Sequence, residues 1–125
     1  MNWIAIAIGG ALGAMARYGV STLVFDASAQ RFPYATLSVN VLGSFAMGFL
    51  FVIIAEKAML PPVMRSMLMV GFLGAFTTFS TFSLDALGLW QNGHLLMALV
   101  YALGTVVLCL AAVCLGVWLT RLFLI

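Results

Sequence analysis

Charged residues are scarce in this chain. Only 6% of its 125 residues are charged, five basic and three acidic, whereas soluble globular domains carry about 25%. Hydrophobic residues make up 66% of the sequence, and its mean hydropathy is +1.25. This composition excludes an ordinary soluble domain and predicts an integral membrane protein.

Residues that commonly bind metals or act in catalysis are scarce too. The chain has one histidine, His94, and two cysteines, Cys109 and Cys114, whose spacing of five residues directs them to different sides of a helix. We interpret both cysteines as membrane-embedded thiols and His94 as a loop residue. No nucleophile has a base nearby in sequence, and the basic residues are scattered rather than clustered. The sequence therefore predicts neither an enzyme nor a nucleic-acid-binding surface.

Apolar segments are abundant, and they set the architecture. Four of them are long enough to cross a bilayer, at about 20 residues each, and short connections join them. We predict one all-α, four-span transmembrane domain covering 1–125, with spans at 3–24, 34–55, 64–90 and 95–119. The first segment has no basic residue before Arg17, so we expect it to be a retained span rather than a signal peptide. The three tryptophans fall near span ends, as interfacial aromatics do.

The third segment contains an unusual run of hydroxyl and aromatic residues. Positions 71–83 read Gly-Phe-Leu-Gly-Ala-Phe-Thr-Thr-Phe-Ser-Thr-Phe-Ser. Residues three apart are neighbours on one face of a helix. The pairs with this spacing are Thr78 and Thr81, Phe79 and Phe82, and Ser80 and Ser83. A stripe of phenylalanines is therefore predicted beside a stripe of hydroxyls.

The same run favours a break in the helix. Gly71, Gly74 and Ala75 precede the β-branched pair Thr77 and Thr78, which is poor helix-forming chemistry for the middle of a span. A break at membrane depth frees carbonyl groups that need partners, and a bound cation is one such partner. The alternative is that these small and hydroxyl residues only allow close helix contact and bond back to their own helix.

Two polar residues in the first two spans each have two interpretations. Arg17 lies near the middle of the first span, where a basic side chain costs about 3 kcal/mol. It either extends toward the Asp26 side of the membrane or attracts anions in an aqueous vestibule. Asn40 either bonds a neighbouring helix or donates its amide hydrogens to an anion. In the first span, Gly9 and Gly13 predict a flat face for close helix contact.

The basic residues orient the chain only weakly. Four spans place Lys57, Arg65 and Arg121 on one side of the membrane and one or two basic residues, Arg31 with or without Arg17, on the other. The positive-inside rule then gives little preference. Copies inserted in both directions can assemble as antiparallel dimers with an isologous interface.

Three motifs together resemble the small fluoride channel family known as Fluc or CrcB. They are the run at 71–83, Val-Asn-Val-Leu-Gly at 39–43, and Gly-Gly-Ala-Leu-Gly-Ala-Met-Ala-Arg-Tyr at 9–18. The resemblance covers nearly the whole chain. It implies a dual-topology antiparallel homodimer in the inner membrane, with a broken third helix and a structural sodium ion at the dimer interface. It also implies passive export of fluoride, which lowers cytoplasmic fluoride and confers fluoride resistance.

The resemblance also implies roles for individual residues. Those expected to line the fluoride pore are Asn40, Phe79, Phe82, Ser80, Thr81 and Ser83. Arg17 is expected in the vestibule, and the main-chain oxygens of Gly74 and Thr77 are expected to bind sodium. Three positions depart from the family pattern: Ala75 replaces a common glycine, Asp85 replaces an expected glutamate, and Thr105 occupies a position that can be aromatic or histidine.

Two other functions remain to be weighed. A small-multidrug-resistance-like exporter would also have four spans. Chains that resemble such exporters, however, carry a carboxylate deep in the first span. Here Asp26, Glu56 and Asp85 all lie toward span ends, so proton coupling lacks an obvious carrier. A non-transporting membrane assembly subunit would explain the glycines, but it leaves the period-three pattern without a cause. The sequence therefore favours passive conduction.

Overall fold

The computed structural model describes residues 2–24 and 32–124. Over these ranges the chain is helical, and they contain no strand. The α-helices are α1 (Asn2–Val24), α2 (Tyr34–Leu50), α3 (Pro62–Arg65), α4 (Gly74–Phe76), α5 (Phe79–Gln91) and α6 (Leu95–Phe123). Two π-helical segments, Phe51–Glu56 and Ser66–Leu73, continue α2 and α3.

These elements form four helical segments that are long and apolar enough to cross a membrane. We number them span 1 (Asn2–Val24), span 2 (Tyr34–Glu56), span 3 (Pro62–Gln91) and span 4 (Leu95–Phe123). Their ends lie within four residues of the bounds expected from the sequence. The four-span, all-α fold class is confirmed. The first loop, including Asp26 and Arg31, falls mostly outside the described residues.

Span 1 packs closely against the first half of span 3. A Cβ atom added at Gly9 would overlap the carbonyl oxygen of Met67, and one at Gly13 would overlap that of Phe72. On the facing helix, a Cβ at Gly71 would lie 2.7 Å from the carbonyl oxygen of Ile6. Glycine thus lets the two backbones touch. The flat face expected at Gly9 and Gly13 is present, and its partner is a helix of the same chain.

Spans 2 and 4 make a second close pair. A Cβ at Gly48 would overlap the carbonyl oxygen of Val113, and one at Gly116 would overlap that of Phe45. The second half of span 3, α5, also lies against span 4, where Phe82 and Leu89 pack with Tyr101. Spans 2, 3 and 4 therefore meet near the middle of span 3.

The outer surface is apolar, as a bilayer requires. Large hydrophobic side chains are exposed along all four spans, and Trp3, Trp90 and Trp118 are exposed close to span ends. Span 3 joins span 4 through a tight turn in which Gly93 adopts a positive φ of 83°, a conformation that glycine tolerates without steric cost. The short turn keeps α5 and span 4 adjacent and antiparallel.

Candidate functional site

Span 3 is interrupted at Thr77 and Thr78. Both residues have extended backbones, with φ and ψ of −86° and 159° for Thr77 and −153° and 121° for Thr78. The carbonyl oxygen of Leu73 accepts hydrogen bonds from the Thr77 N–H (3.0 Å) and hydroxyl (2.8 Å), which closes the first half. The Thr78 hydroxyl accepts from the N–H of Thr81 at 3.2 Å and caps α5. The predicted break in the third helix is confirmed.

The side chain of Asn40 holds the break from span 2. Its Oδ1 accepts a hydrogen bond from the Thr78 N–H at 2.8 Å, and its Nδ2 donates to the Thr78 carbonyl oxygen at 3.0 Å. Both backbone groups of the extended residue are thereby satisfied inside the membrane, as they must be. This contact confirms the first of the two interpretations from the sequence, in which Asn40 bonds a neighbouring helix. A primary amide carries two N–H bonds, so one remains for another acceptor.

Arg17 holds the break from span 1. Its Nε donates to the carbonyl oxygen of Ala75 at 3.1 Å, and the side chain is half-buried. The guanidinium therefore meets one of the carbonyls at the end of the first half of span 3. The alternative interpretation had Arg17 extend toward Asp26, and Asp26 lies outside the described residues. A positive charge is thus placed at the break itself, where it raises the local potential for anions.

The break also diverts the donors of two further carbonyls. In a continuous helix, the Gly74 carbonyl would accept from the N–H of Thr78, which here bonds to Asn40. The Thr77 carbonyl would accept from the N–H of Thr81, which here bonds to the Thr78 hydroxyl. The oxygens of Gly74 and Thr77 thus lose their usual i+4 partners.

A cavity of about 240 Å³ adjoins the break. It brings together four of the expected site residues, Asn40, Thr77, Phe79 and Phe82, and its remaining lining is Ser44, Thr78, Thr105, Val106 and Cys109. Residues of spans 2, 3 and 4 therefore line one largely apolar pocket that includes amide, hydroxyl and aromatic side chains.

The two phenylalanine rings lie side by side but differ in exposure. Their centroids are 5.5 Å apart at an interplanar angle of 47°. Phe82 is buried against Tyr101, with a centroid distance of 5.1 Å, whereas Phe79 is 77% exposed on the single chain. Phe82 is therefore held by contacts within its own chain, whereas the ring of Phe79 is free to contact another molecule.

The other expected hydroxyl residues lie beside this cavity rather than in it. Ser80 and Ser83 are exposed and Thr81 is half-buried. The Ser83 hydroxyl donates to the Phe79 carbonyl at 2.9 Å, and that of Ser80 lies 3.4 Å from the Thr78 hydroxyl. Part of the predicted hydroxyl stripe therefore bonds back to its own helix.

Asp85 sits farther along α5 in a small polar network. Its Oδ2 accepts hydrogen bonds from the Thr36 hydroxyl at 2.7 Å and from the Tyr101 hydroxyl at 3.4 Å. A second cavity, of about 340 Å³, is lined by residues that include Asp85 and His94. The carboxylate thus anchors the tyrosine that packs against Phe82.

Five lining residues were not assigned to the site from the sequence, and two of them, Thr105 and Cys109, lie on span 4 four residues apart. Thr105 is buried, and among the described residues its Oγ1 is the one buried side-chain oxygen or nitrogen that lacks a hydrogen-bond partner. Cys109 follows four residues later on the same helix face and is partly exposed. Their spacing of four residues was visible in the sequence, but the helices that they face were not.

The sequence matches a known protein family and several of its named members. The family model described as "CrcB-like protein, Camphor Resistance (CrcB)" matches residues 4–117. The chain belongs to the CrcB family. A relative from Saccharophagus degradans, named fluoride-specific ion channel FluC, is 58% identical over 119 residues, covering 95% of this chain and 89% of the relative. Proteins of the same name from Hahella chejuensis and Magnetococcus marinus are 53% and 49% identical, covering 95% and 94% of this chain and 94% and 95% of the relatives.

Membership of the CrcB family agrees with the four apolar helices. Together they indicate a multi-pass protein of the cell membrane. The matched region runs from the start of span 1 to near the end of span 4. Both residues that hold the break, and all residues of the cavity, lie within it.

Proposed function

We propose that this chain forms a fluoride-selective channel that conducts passively. Relatives of nearly the same length carry the name fluoride-specific ion channel. The observation that carries the proposal is the cavity at the break, which Asn40, Phe79 and Phe82 line together. Hydrogen-bond donors and ring edges are the groups that can replace water around a small anion.

The energetics assign different roles to these groups. Moving a bare halide into a low-dielectric medium costs tens of kcal/mol. Aromatic contacts contribute about 0.5–1.5 kcal/mol each, whereas hydrogen bonds to charged groups contribute about 1.5–3 kcal/mol each. The donors and retained water must therefore supply most of the compensation, with Phe79 and Phe82 as walls. Such a path favours fluoride, a small and strong hydrogen-bond acceptor, over larger halides.

The functional unit in this proposal is an antiparallel homodimer. On the single chain Phe79 is 77% exposed, and Ser80 and Ser83 are exposed beside it. These are the pore residues expected from the family resemblance, and a second copy would enclose them. The weak distribution of basic residues permits both orientations, and a two-fold axis would present the same face of each copy to the other.

A structural sodium ion fits the same arrangement. Gly74 and Thr77 offer carbonyl oxygens whose usual i+4 donors are diverted, and Gly74 is exposed. Hard cations prefer oxygen ligands. Two oxygens are few for such an ion, so a second copy would have to contribute its own pair. The ion would supply positive charge at the centre of the dimer.

The alternatives explain less of the structure. A proton-coupled exporter of the small-multidrug-resistance type would need a titratable carboxylate within the transport path, and span 1 carries only Arg17 as a charged residue. A non-transporting assembly subunit would have no use for a cavity with amide, hydroxyl and aromatic side chains beside a held break. Passive conduction accounts for both.

The test is ion efflux from liposomes containing the purified protein. Fluoride-loaded liposomes should empty without a proton gradient, while chloride-loaded liposomes should retain their content. Equal rates for the two anions, or efflux that requires an opposing proton gradient, would contradict the proposal. Protein-free liposomes serve as the control.

A further inference from the structure

We propose that a groove near the end of span 4 binds one anionic phospholipid, with the lipid phosphate on the guanidinium of Arg121 and an acyl chain along the helix. The groove shares no lining residue with the cavity at the break. The lipid site has no part in conduction, so it stands apart from the proposed channel function.

The shape and order of the groove fit a phospholipid. Its volume is about 310 Å³, and its lining is Val113, Cys114, Val117, Trp118 and Arg121. These residues are spaced three or four apart, so they form one face along the helix. Apolar side chains line most of this face, and the basic side chain lies at the end nearest the membrane surface. A phospholipid has the same order, with acyl chains that lead to a charged headgroup.

The depth of the groove in the membrane follows from Trp118. Its side chain is 59% exposed close to the end of span 4, and tryptophans at such positions lie at the level of the lipid headgroups. Arg121 is three residues nearer the end, about 4.5 Å farther along the helix axis. The guanidinium is therefore placed at phosphate depth, while Val113 and Val117 lie at the depth of the acyl chains.

The guanidinium of Arg121 retains hydrogen-bond donors after its ion pair with Glu56. Its Nε donates to Oε1 of Glu56 at 2.9 Å, and its Nη2 donates to Oε2 of the same carboxylate. A guanidinium carries five N–H bonds, so three remain, two on Nη1 and one on Nη2. The side chain is 53% exposed. Arginine binds phosphate through such paired donors.

The charge at this membrane face favours an anionic lipid even though Glu56 is present. Spans 2 and 4 end at this face and span 3 begins there. The face carries three basic side chains, Lys57, Arg65 and Arg121, and Glu56 is the one acidic side chain that the described residues place there. Basic residues close to a membrane surface attract anionic lipids. A lipid without net charge gains no such attraction.

Tryptophan quenching by lipids brominated on their acyl chains measures which lipid fills the groove. The double variant Trp3→Phe and Trp90→Phe leaves Trp118 as the only tryptophan. In phosphatidylcholine bilayers, brominated phosphatidylglycerol should reach half of its maximal quenching at a roughly fivefold lower mole fraction than brominated phosphatidylcholine. The matched control keeps Trp3 alone, which is 87% exposed at the start of span 1, on the same membrane face. The two brominated lipids should quench Trp3 at nearly equal mole fractions.

Two charge variants separate the lipid site from the ion pair. Arg121→Gln and Glu56→Gln both break the ion pair, but the first removes the group that binds phosphate and the second releases it from its carboxylate. The preference for the anionic lipid at Trp118 should therefore disappear in Arg121→Gln and increase in Glu56→Gln. Arg121→Lys keeps the charge and should retain part of the preference.

Three results would overturn the proposal. They are equal preferences at Trp3 and Trp118, a change in the same direction in Arg121→Gln and Glu56→Gln, and no quenching of Trp118 by either lipid. The last result would mean that protein, such as a second copy of the chain, covers the groove. Because no ion flux is measured, these results decide the lipid site whether or not the protein conducts fluoride.

Discussion

The side-chain amide of Asn40 bonds both backbone groups of Thr78, 38 residues away in sequence. This pair of hydrogen bonds replaces the helical bonds that an extended residue cannot make. It joins span 2 to the interruption of span 3 at membrane depth. Asn40 is thus a structural clamp and, through its second amide N–H, a candidate donor to an anion.

Replacing Asn40 should damage both stability and conduction. Asn40→Leu leaves the N–H and the carbonyl of Thr78 unsatisfied, at a cost of about 1–3 kcal/mol for each buried group. Asn40→Asp keeps the acceptor but removes the donor and adds negative charge. We expect lower thermal stability in the leucine variant and reduced fluoride efflux in both. Efflux at the wild-type rate in both variants would remove Asn40 from the ion path.

Substitution of Arg17 should weaken the break from the other side. Lysine keeps the positive charge but lacks the Nε–H that bonds Ala75, and methionine removes both. Hydrogen bonds to charged groups contribute about 1.5–3 kcal/mol, so Arg17→Met should reduce fluoride efflux by roughly tenfold or more and Arg17→Lys by less. Arg121→Gln is the control, because it breaks an exposed ion pair with Glu56. Equal effects of Arg17→Met and Arg121→Gln on efflux would argue against a role at the break.

Two glycines three residues apart in span 1, Gly10 and Gly13, should respond differently to alanine. A Cβ at Gly13 would overlap the backbone of Phe72, whereas one at Gly10 would lie 3.8 Å from the nearest atom, the Gly71 carbonyl oxygen. Overpacking costs about 1–3 kcal/mol, so Gly13→Ala should lower the unfolding temperature while Gly10→Ala leaves it nearly unchanged. Thermal denaturation of the two purified variants makes the comparison. The reverse order would mean that spans 1 and 3 are packed differently.

The two phenylalanines should separate stability from conduction. Isoleucine keeps apolar bulk but lacks the positive ring edge. Because Phe79 is exposed on the single chain and Phe82 is packed on Tyr101, Phe79→Ile should reduce efflux without lowering stability, whereas Phe82→Ile should reduce both. Dimer mass should persist in each. Unchanged efflux in both variants would assign the rings to packing alone.

Gly74→Val tests the proposed interface. The backbone of Gly74 is ordinary α-helix, and within the chain a Cβ would meet only the Met69 carbonyl oxygen at 3.8 Å. Valine should therefore be tolerated by the single chain but should disturb a second copy packed there. We expect loss of dimer mass and fluoride efflux for Gly74→Val, but little change for Thr77→Ala, which keeps its carbonyl. Gly104→Val is the control, since no atom lies within 4 Å of its Cβ position.

The sequence predicted the helical segments and the break better than it predicted the hydrogen-bond partners of individual side chains. The break was predictable because glycines followed by paired threonines disfavour a helix in any context. The hydrogen-bond partner of Arg17 was not predictable. It is the backbone carbonyl of Ala75, 58 residues away, and every residue type has a backbone carbonyl, so the sequence does not indicate which one accepts. For Asn40, both interpretations were consistent with the sequence, and the choice needed the position of Thr78.

The cavity was harder to predict than the break. Its lining comes from three spans, so helix periodicity alone could not show that Cys109 and Thr105 face Asn40. The π-helical segments at Phe51–Glu56 and Ser66–Leu73 had no sequence signature that we recognised. They shift the register of side chains along spans 2 and 3 and thereby decide which faces meet.

The order of the clamps along the chain bears on how the protein is made. Both side chains that hold the interruption, Arg17 and Asn40, precede it in sequence, so the ribosome synthesises them before residues 77 and 78. When the third span enters the lipid, partners for its unpaired backbone groups are already available in spans 1 and 2. The N–H and carbonyl of Thr78 and the carbonyl of Ala75 therefore find partners in the first two spans of their own chain, so we expect insertion of the interrupted span to depend on those two spans.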